Sequence, residues 1–121
     1  MKIILLVDDS PTILASMSGI LRKNGYKIET APNGEDAVTK INAGLNPSLI
    51  ITDYNMPGMN GVEVIRQSRK VASCRFIPML ILTTESQQQK RDEAKAAGAT
   101  GWLVKPVPAD QLLGVVGQII P

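Results

Sequence analysis

The chain has 121 residues, 13 basic and 11 acidic, a formal charge of +2 and 44% hydrophobic content, the make-up of one ordinary globular domain. It contains no histidine, which excludes a histidine general base, a Ser-His-Asp site, a histidine zinc site and a phosphohistidine carrier, and its one cysteine, Cys74, excludes an internal disulfide or multi-cysteine metal site. The small net charge gives no strong case for nucleic-acid binding, and the opening apolar run is far short of the ~20 residues that cross a bilayer and lacks a cationic leader.

Five short apolar runs alternate with helical patterns. Ile3–Val7 is the first, Lys27–Ala31 a weaker second, and 48–52, 78–82 and 102–104 follow. Several are β-branched and apolar on both faces, as in a parallel sheet covered on both sides. The first helix opens on Ser10 as N-cap with Pro11 at its first position. It lays Ile13, Leu14, Met17, Ile20 and Leu21 along one face and stops at Gly25. Helices follow over about 33–44, with Asn33 as cap, and over 61–71, 86–98 and 109–120. Five strand–helix units predict an α/β doubly wound sheet. Residues 1–121 are expected to form one domain with no output domain attached.

The fourth helical segment carries no large apolar residue from Ser86 to Lys95, and only Ala94, Ala96 and Ala97 could pack. Two readings stay open: a solvated surface helix, or a movable element near a switch. The fifth presents Leu112, Val115, Val116 and Ile119 inward. Its outer face carries Gly114 and Gly117, which cost helix stability of roughly 1 kcal/mol each. The basic residues Arg66, Arg69, Lys70 and Arg75 read as a solvated cationic face.

In an open parallel sheet, ligands bind beyond the carboxyl ends of the strands. Asp8-Asp9, Asp53, Thr83-Thr84-Glu85 and Lys105-Pro106 all fall there. Three carboxylates in one pocket need protons or a cation to coexist. Oxygen ligands alone predict a hard cation, Mg²⁺ or its substitute Mn²⁺. Lys105 adds a compact positive charge and Thr83 a hydroxyl. The set suits phosphoryl transfer onto a carboxylate, giving an acyl phosphate.

The motifs Leu6-Val7-Asp8-Asp9-Ser10, Ile51-Thr52-Asp53-Tyr54-Asn55-Met56-Pro57-Gly58, Leu82-Thr83-Thr84-Glu85 and Gly101-Trp102-Leu103-Val104-Lys105-Pro106 resemble, in order and over essentially the whole chain, the receiver domain of two-component response regulators, most of all the single-domain chemotaxis (CheY-like) type. The resemblance implies a five-stranded flavodoxin-like (βα)5 fold of strand order 2-1-3-4-5. It implies Asp53 as phosphoacceptor, and Asp8, Asp9, Asp53 and the carbonyl of Asn55 as Mg²⁺ ligands. By the same resemblance Lys105 contacts the phosphoryl group, Thr83 is the switch hydroxyl, Trp102 the switch aromatic, and the bond before Pro106 a candidate cis peptide. Thr84 borders the phosphoryl site, where it could narrow water access, and Asn55 and Glu85 line the approach and tune dephosphorylation. Tryptophan replaces the usual tyrosine at 102, and Pro108 replaces the usual hydroxyl cap of the fifth helix.

The implied partners are a CheA-like sensor histidine kinase and a flagellar switch protein. The alternative is a phosphorelay intermediate or phosphate sink that passes its phosphoryl group to a histidine phosphotransfer protein. The expected protein is a cytoplasmic monomer, not an enzyme beyond its own phosphotransfer and dephosphorylation, and it engages neither nucleic acid nor the membrane interior. A haloacid-dehalogenase-type enzyme needs a DxDx[T/V] pattern after the first strand, where this chain has Asp8-Asp9-Ser10-Pro11-Thr12. A flavin binder needs an uncharged hydroxyl-rich loop there, and two aspartates would repel the flavin phosphate.

Overall fold

A computed structural model of the chain describes residues 2–84 and 88–121. Strands β1 (Ile3–Val7), β2 (Lys27–Ala31), β3 (Leu49–Asp53), β4 (Met79–Thr83) and β5 (Gly101–Val104) alternate with helices α1 (Pro11–Lys23), α2 (Gly34–Asn42), α3 (Gly61–Arg69), α4 (Gln88–Ala97) and α5 (Ala109–Ile119). The strands are all parallel, in the order β2-β1-β3-β4-β5. The expected doubly wound fold and its strand order are therefore present. The expected start of the fourth helix at Ser86, like the site residue Glu85, lies outside the described residues.

Alternation along each strand builds two cores. Leu5, Val7, Ile50, Met79 and Ile81 face α2, α3 and α4 through Ala37, Ile41, Val62, Ile65 and Ala94. Ile4, Leu6, Leu49, Ile51, Leu80 and Leu82 face α1 and α5 through Leu21, Leu112, Val116 and Ile120. Strand side chains apolar at every position are what burial on both faces requires.

Local chemistry sets the helix starts. The Ser10 hydroxyl accepts from the Ile13 amide at 3.3 Å, Asn33 Oδ1 from the Asp36 amide at 2.7 Å, and Asn60 Oδ1 from the Glu63 amide at 2.9 Å. Each satisfies an amide that a helix start leaves open. Only α5 begins without a side-chain cap among these four, on Pro108. Gly25 takes φ +91° where the chain leaves α1, a conformation only glycine enters freely.

Two expectations about side chains need correction. Arg69 is not part of a solvated face. Its Nη1 donates to the carbonyls of Cys74, Arg75 and Ile77 at 3.0, 3.1 and 2.6 Å, and its Nη2 to that of Gly98 at 2.6 Å. This cage ties the end of α3 and the loop before β4 to the loop before β5. Ala96 is exposed, so of the three alanines α4 buries Ala94 and half-buries Ala97. On α1, Leu21 is buried and Leu14, Met17 and Ile20 lie half-buried against the same core, as their spacing predicts.

Candidate functional site

The carboxyl ends of β1, β3, β4 and β5 meet at one rim. Asp8 follows β1 directly and is buried; its amide donates to the Ala31 carbonyl, and its Oδ1 accepts from the Ser10 amide at 2.9 Å. The same turn that starts α1 thus orients Asp8. Asp53 ends β3 and is 6% exposed. A Cβ at Gly61 would lie 2.3 Å from the Asp53 carbonyl oxygen. Only glycine lets α3 approach the strand end this closely. The Gly61 amide also donates to the Tyr54 carbonyl at 2.9 Å, fixing the loop between them.

Lys105 closes the cluster. Its Nζ lies 3.0 Å from Asp8 Oδ2 and 3.1 Å from Asp53 Oδ1. Its amide donates to the Thr83 carbonyl at 2.8 Å, so β4 positions it, and the Lys105–Pro106 peptide is cis. Thr83 is fully buried at the end of β4. Asp9 is exposed, yet one oxygen each of Asp8, Asp9 and Asp53 lies within 4.8 Å of the others. Asn55 is exposed on the loop after β3, and exposed Thr84 borders a cleft of about 380 Å³ that runs between α1 and the segment after β5 and includes Lys105.

Burial, and then the charge of Asp8, hold the Asp53 carboxyl above its ordinary range, although Lys105 pulls the other way. Burial works against the charge on Lys105, but its hydrogen bonds to Asp8 and Asp53 and their charges outweigh it and raise its ammonium. One ammonium therefore does not fully compensate the crowded acids. A hard dication fits this donor set of oxygens alone: three carboxylates around one point, with one of them buried against another.

The expected switch residues share a face of the sheet. Trp102 neighbours Ile81 in register, and Thr83 neighbours Val104, so Thr83 and Trp102 face α4 from adjacent strands. The Trp102 ring is half-buried, its centroid 6.1 Å from that of Tyr54. Its Nε1 is buried with no hydrogen-bond partner among the described residues. Sequence reasoning missed what holds α4 here. Lys90 Nζ lies 5.0 Å from the Tyr54 ring centroid and the Arg91 guanidinium 5.8 Å from that of Trp102. Cations over aromatic faces take the place of absent apolar packing. Adjacent cations on an apolar-poor helix were the available signal.

Comparison with known proteins follows the same lines. The profile of the family described as "Response regulator receiver domain" matches residues 4–117. The chain is 36% identical to Protein PilH of Pseudomonas aeruginosa over 117 residues, 97% of this chain and 96% of that one. Chemotaxis protein CheY4 of Vibrio cholerae superposes with a TM-score of 0.95 at 41% identity, over 99% of each chain. Response regulator protein TrrA of Thermotoga maritima, solved in complex with Mg(2+)-BeF, gives a TM-score of 0.86 at 37% identity, over 99% of this chain and 100% of that one.

Proposed function

The chain belongs to the response regulator receiver domain family, and from that premise we propose that it is a phosphorylation-driven switch whose phosphoacceptor is Asp53. Receiver domains bind Mg²⁺ at an acidic site and interact with histidine kinases and downstream targets. The observation that carries the reading is Lys105 Nζ spanning Asp8 and Asp53 at 3.0 and 3.1 Å beside buried Thr83.

A carboxylate oxygen of Asp53 attacks the phosphorus of a phosphohistidine on a sensor kinase. The P–N bond breaks, the O–P bond of an acyl phosphate forms, and the imidazole leaves with a proton. Asp8, Asp9, Asp53 and the carbonyl of Asn55 would hold Mg²⁺, or Mn²⁺ in its place, which supplies charge neutralisation for the transferring group. Lys105 supplies a second positive charge already in position, so little reorganises during transfer. The Thr83 hydroxyl then donates to a phosphoryl oxygen. Its movement frees space toward Trp102, and the face made by α4, β5 and α5 changes its affinity for a partner. The similarity to CheY4 supports a chemotaxis pathway, in which a flagellar switch protein is that partner. Asn55, Thr84 and Glu85 set how fast the acyl phosphate hydrolyses, on a chemotaxis-like timescale.

Incubation with a small phosphodonor and Mg²⁺, followed by mass mapping, tests this. Label is expected on Asp53 and lost in Asp53→Ala. Lys105→Ala should keep the label but blunt the fluorescence response of Trp102, the chain's one tryptophan. Label that persists in Asp53→Ala overturns the assignment.

A further inference from the structure

The rim opposite the acidic site is made of strand starts and helix ends, and its charge is one-signed. Arg22, Lys23 and Lys27 lie where α1 turns into β2, Lys70 and Arg75 between α3 and β4, and Lys95 at the end of α4; all six are exposed. None of the chain's 11 acidic residues falls within 22–27, 42–48, 69–78, 95–100 or 118–121, the stretches that form this rim. The net charge of +2 conceals this, because the acids concentrate at the other rim and along the helices.

Helix dipoles favour cations at helix ends, which accounts for Arg22, Lys23 and Lys95. It does not account for Lys27 or Arg75, nor for Phe76. Phe76 is 91% exposed beside Arg75, in the loop before β4. An aromatic ring standing in water among cations has the composition of an interfacial anchor.

We propose that this rim docks on an anionic lipid surface, with Phe76 entering the headgroup boundary and the six cations facing lipid phosphates. Among the described residues no helix is long and apolar enough to span a membrane, so the contact is peripheral. The distribution favours a plane over a nucleic-acid duplex. Lys27 begins β2 at one sheet edge, and Lys95 precedes β5 at the other. Five strands set those edges about 19 Å apart. Such a spread meets a continuous anionic sheet at every point, whereas one phosphate ridge reaches only part of it. Base stacking would also call for a platform of aromatic rings, and among the described residues of this rim Phe76 alone is an exposed large hydrophobic residue. Because the acidic site lies at the other rim, the docked protein keeps that site and the α4–β5–α5 face open to solution.

Co-sedimentation of the full chain with vesicles tests the proposal. Vesicles containing a third phosphatidylglycerol should bind it, pure phosphatidylcholine should not, and added salt should release it. Lys70→Gln/Arg75→Gln should weaken binding roughly tenfold or more, at about fivefold per lost cation. Phe76→Ser should weaken it several-fold at unchanged charge. Thr12→Glu/Ala15→Glu, at exposed positions near the acidic rim, alters net charge by the same amount and should leave binding nearly intact. Circular dichroism confirms that these surface variants fold. No binding to anionic vesicles at low salt, equal losses in the two double variants, indifference to Phe76→Ser, or tighter binding to duplex DNA than to vesicles would each overturn the proposal.

Discussion

Asp53 and Arg69 show how one side chain is governed by its surroundings. The raised Asp53 carboxyl means that the folded state holds its proton more tightly than the unfolded chain does. The stability it contributes is fully present below the ordinary carboxylate range and is lost as pH rises through the raised value. Metal-free Asp53→Asn should therefore melt above the parent at neutral pH, with the gap closing on acidification; equal melting temperatures in EDTA across that range would contradict the burial argument. Arg69→Met leaves the Cys74, Arg75, Ile77 and Gly98 carbonyls without their donor. A loss of about 3 kcal/mol is expected, roughly 10 °C in Tm by calorimetry. The acids were legible as residues because they sit where strands end. The Arg69 cage was not, since nothing in a sequence shows that carbonyls from residues 74 to 98 converge on one guanidinium.

Among the elements, the strands and the helix starts at Ser10 and Asn33 were readable from burial on two faces and from capping chemistry, whereas the Asn60 cap of α3 was not singled out. Strands β3 and β4 run one residue further than their apolar stretches, because Asp53 and Thr83 close them. Helix α4 was half legible: its poverty of apolar residues was plain, but its attachment to Tyr54 and Trp102 requires strands brought together from distant sequence. Helix α5 offers a direct test of propensity. A Cβ at Gly114 or Gly117 meets nothing within 4 Å. Each Gly→Ala change should stabilise the fold by about 0.5–1 kcal/mol in thermal melts. If such variants also lose partner binding while gaining stability, the bare outer face of α5 serves close approach.

At the scale of the molecule, family and fold followed from the order of the motifs, while the separation of charge did not follow from a net value of +2. Two variants of equal net charge should separate on a cation exchanger at neutral pH. Lys70→Gln/Arg75→Gln removes charge from the face that meets the resin and should elute clearly earlier than Thr12→Glu/Ala15→Glu. Co-elution would mean that the molecule presents itself to the resin without preferred orientation. The guanidinium at position 69 has a mechanical corollary. It bolts the tail of α4, through Gly98, to the body of the domain, whereas the head of that helix rests on two aromatic rings. A beam mounted so is a lever with its fulcrum near residue 98. Any swing is widest at residue 88, and a listener gripping that tip hears the loudest signal.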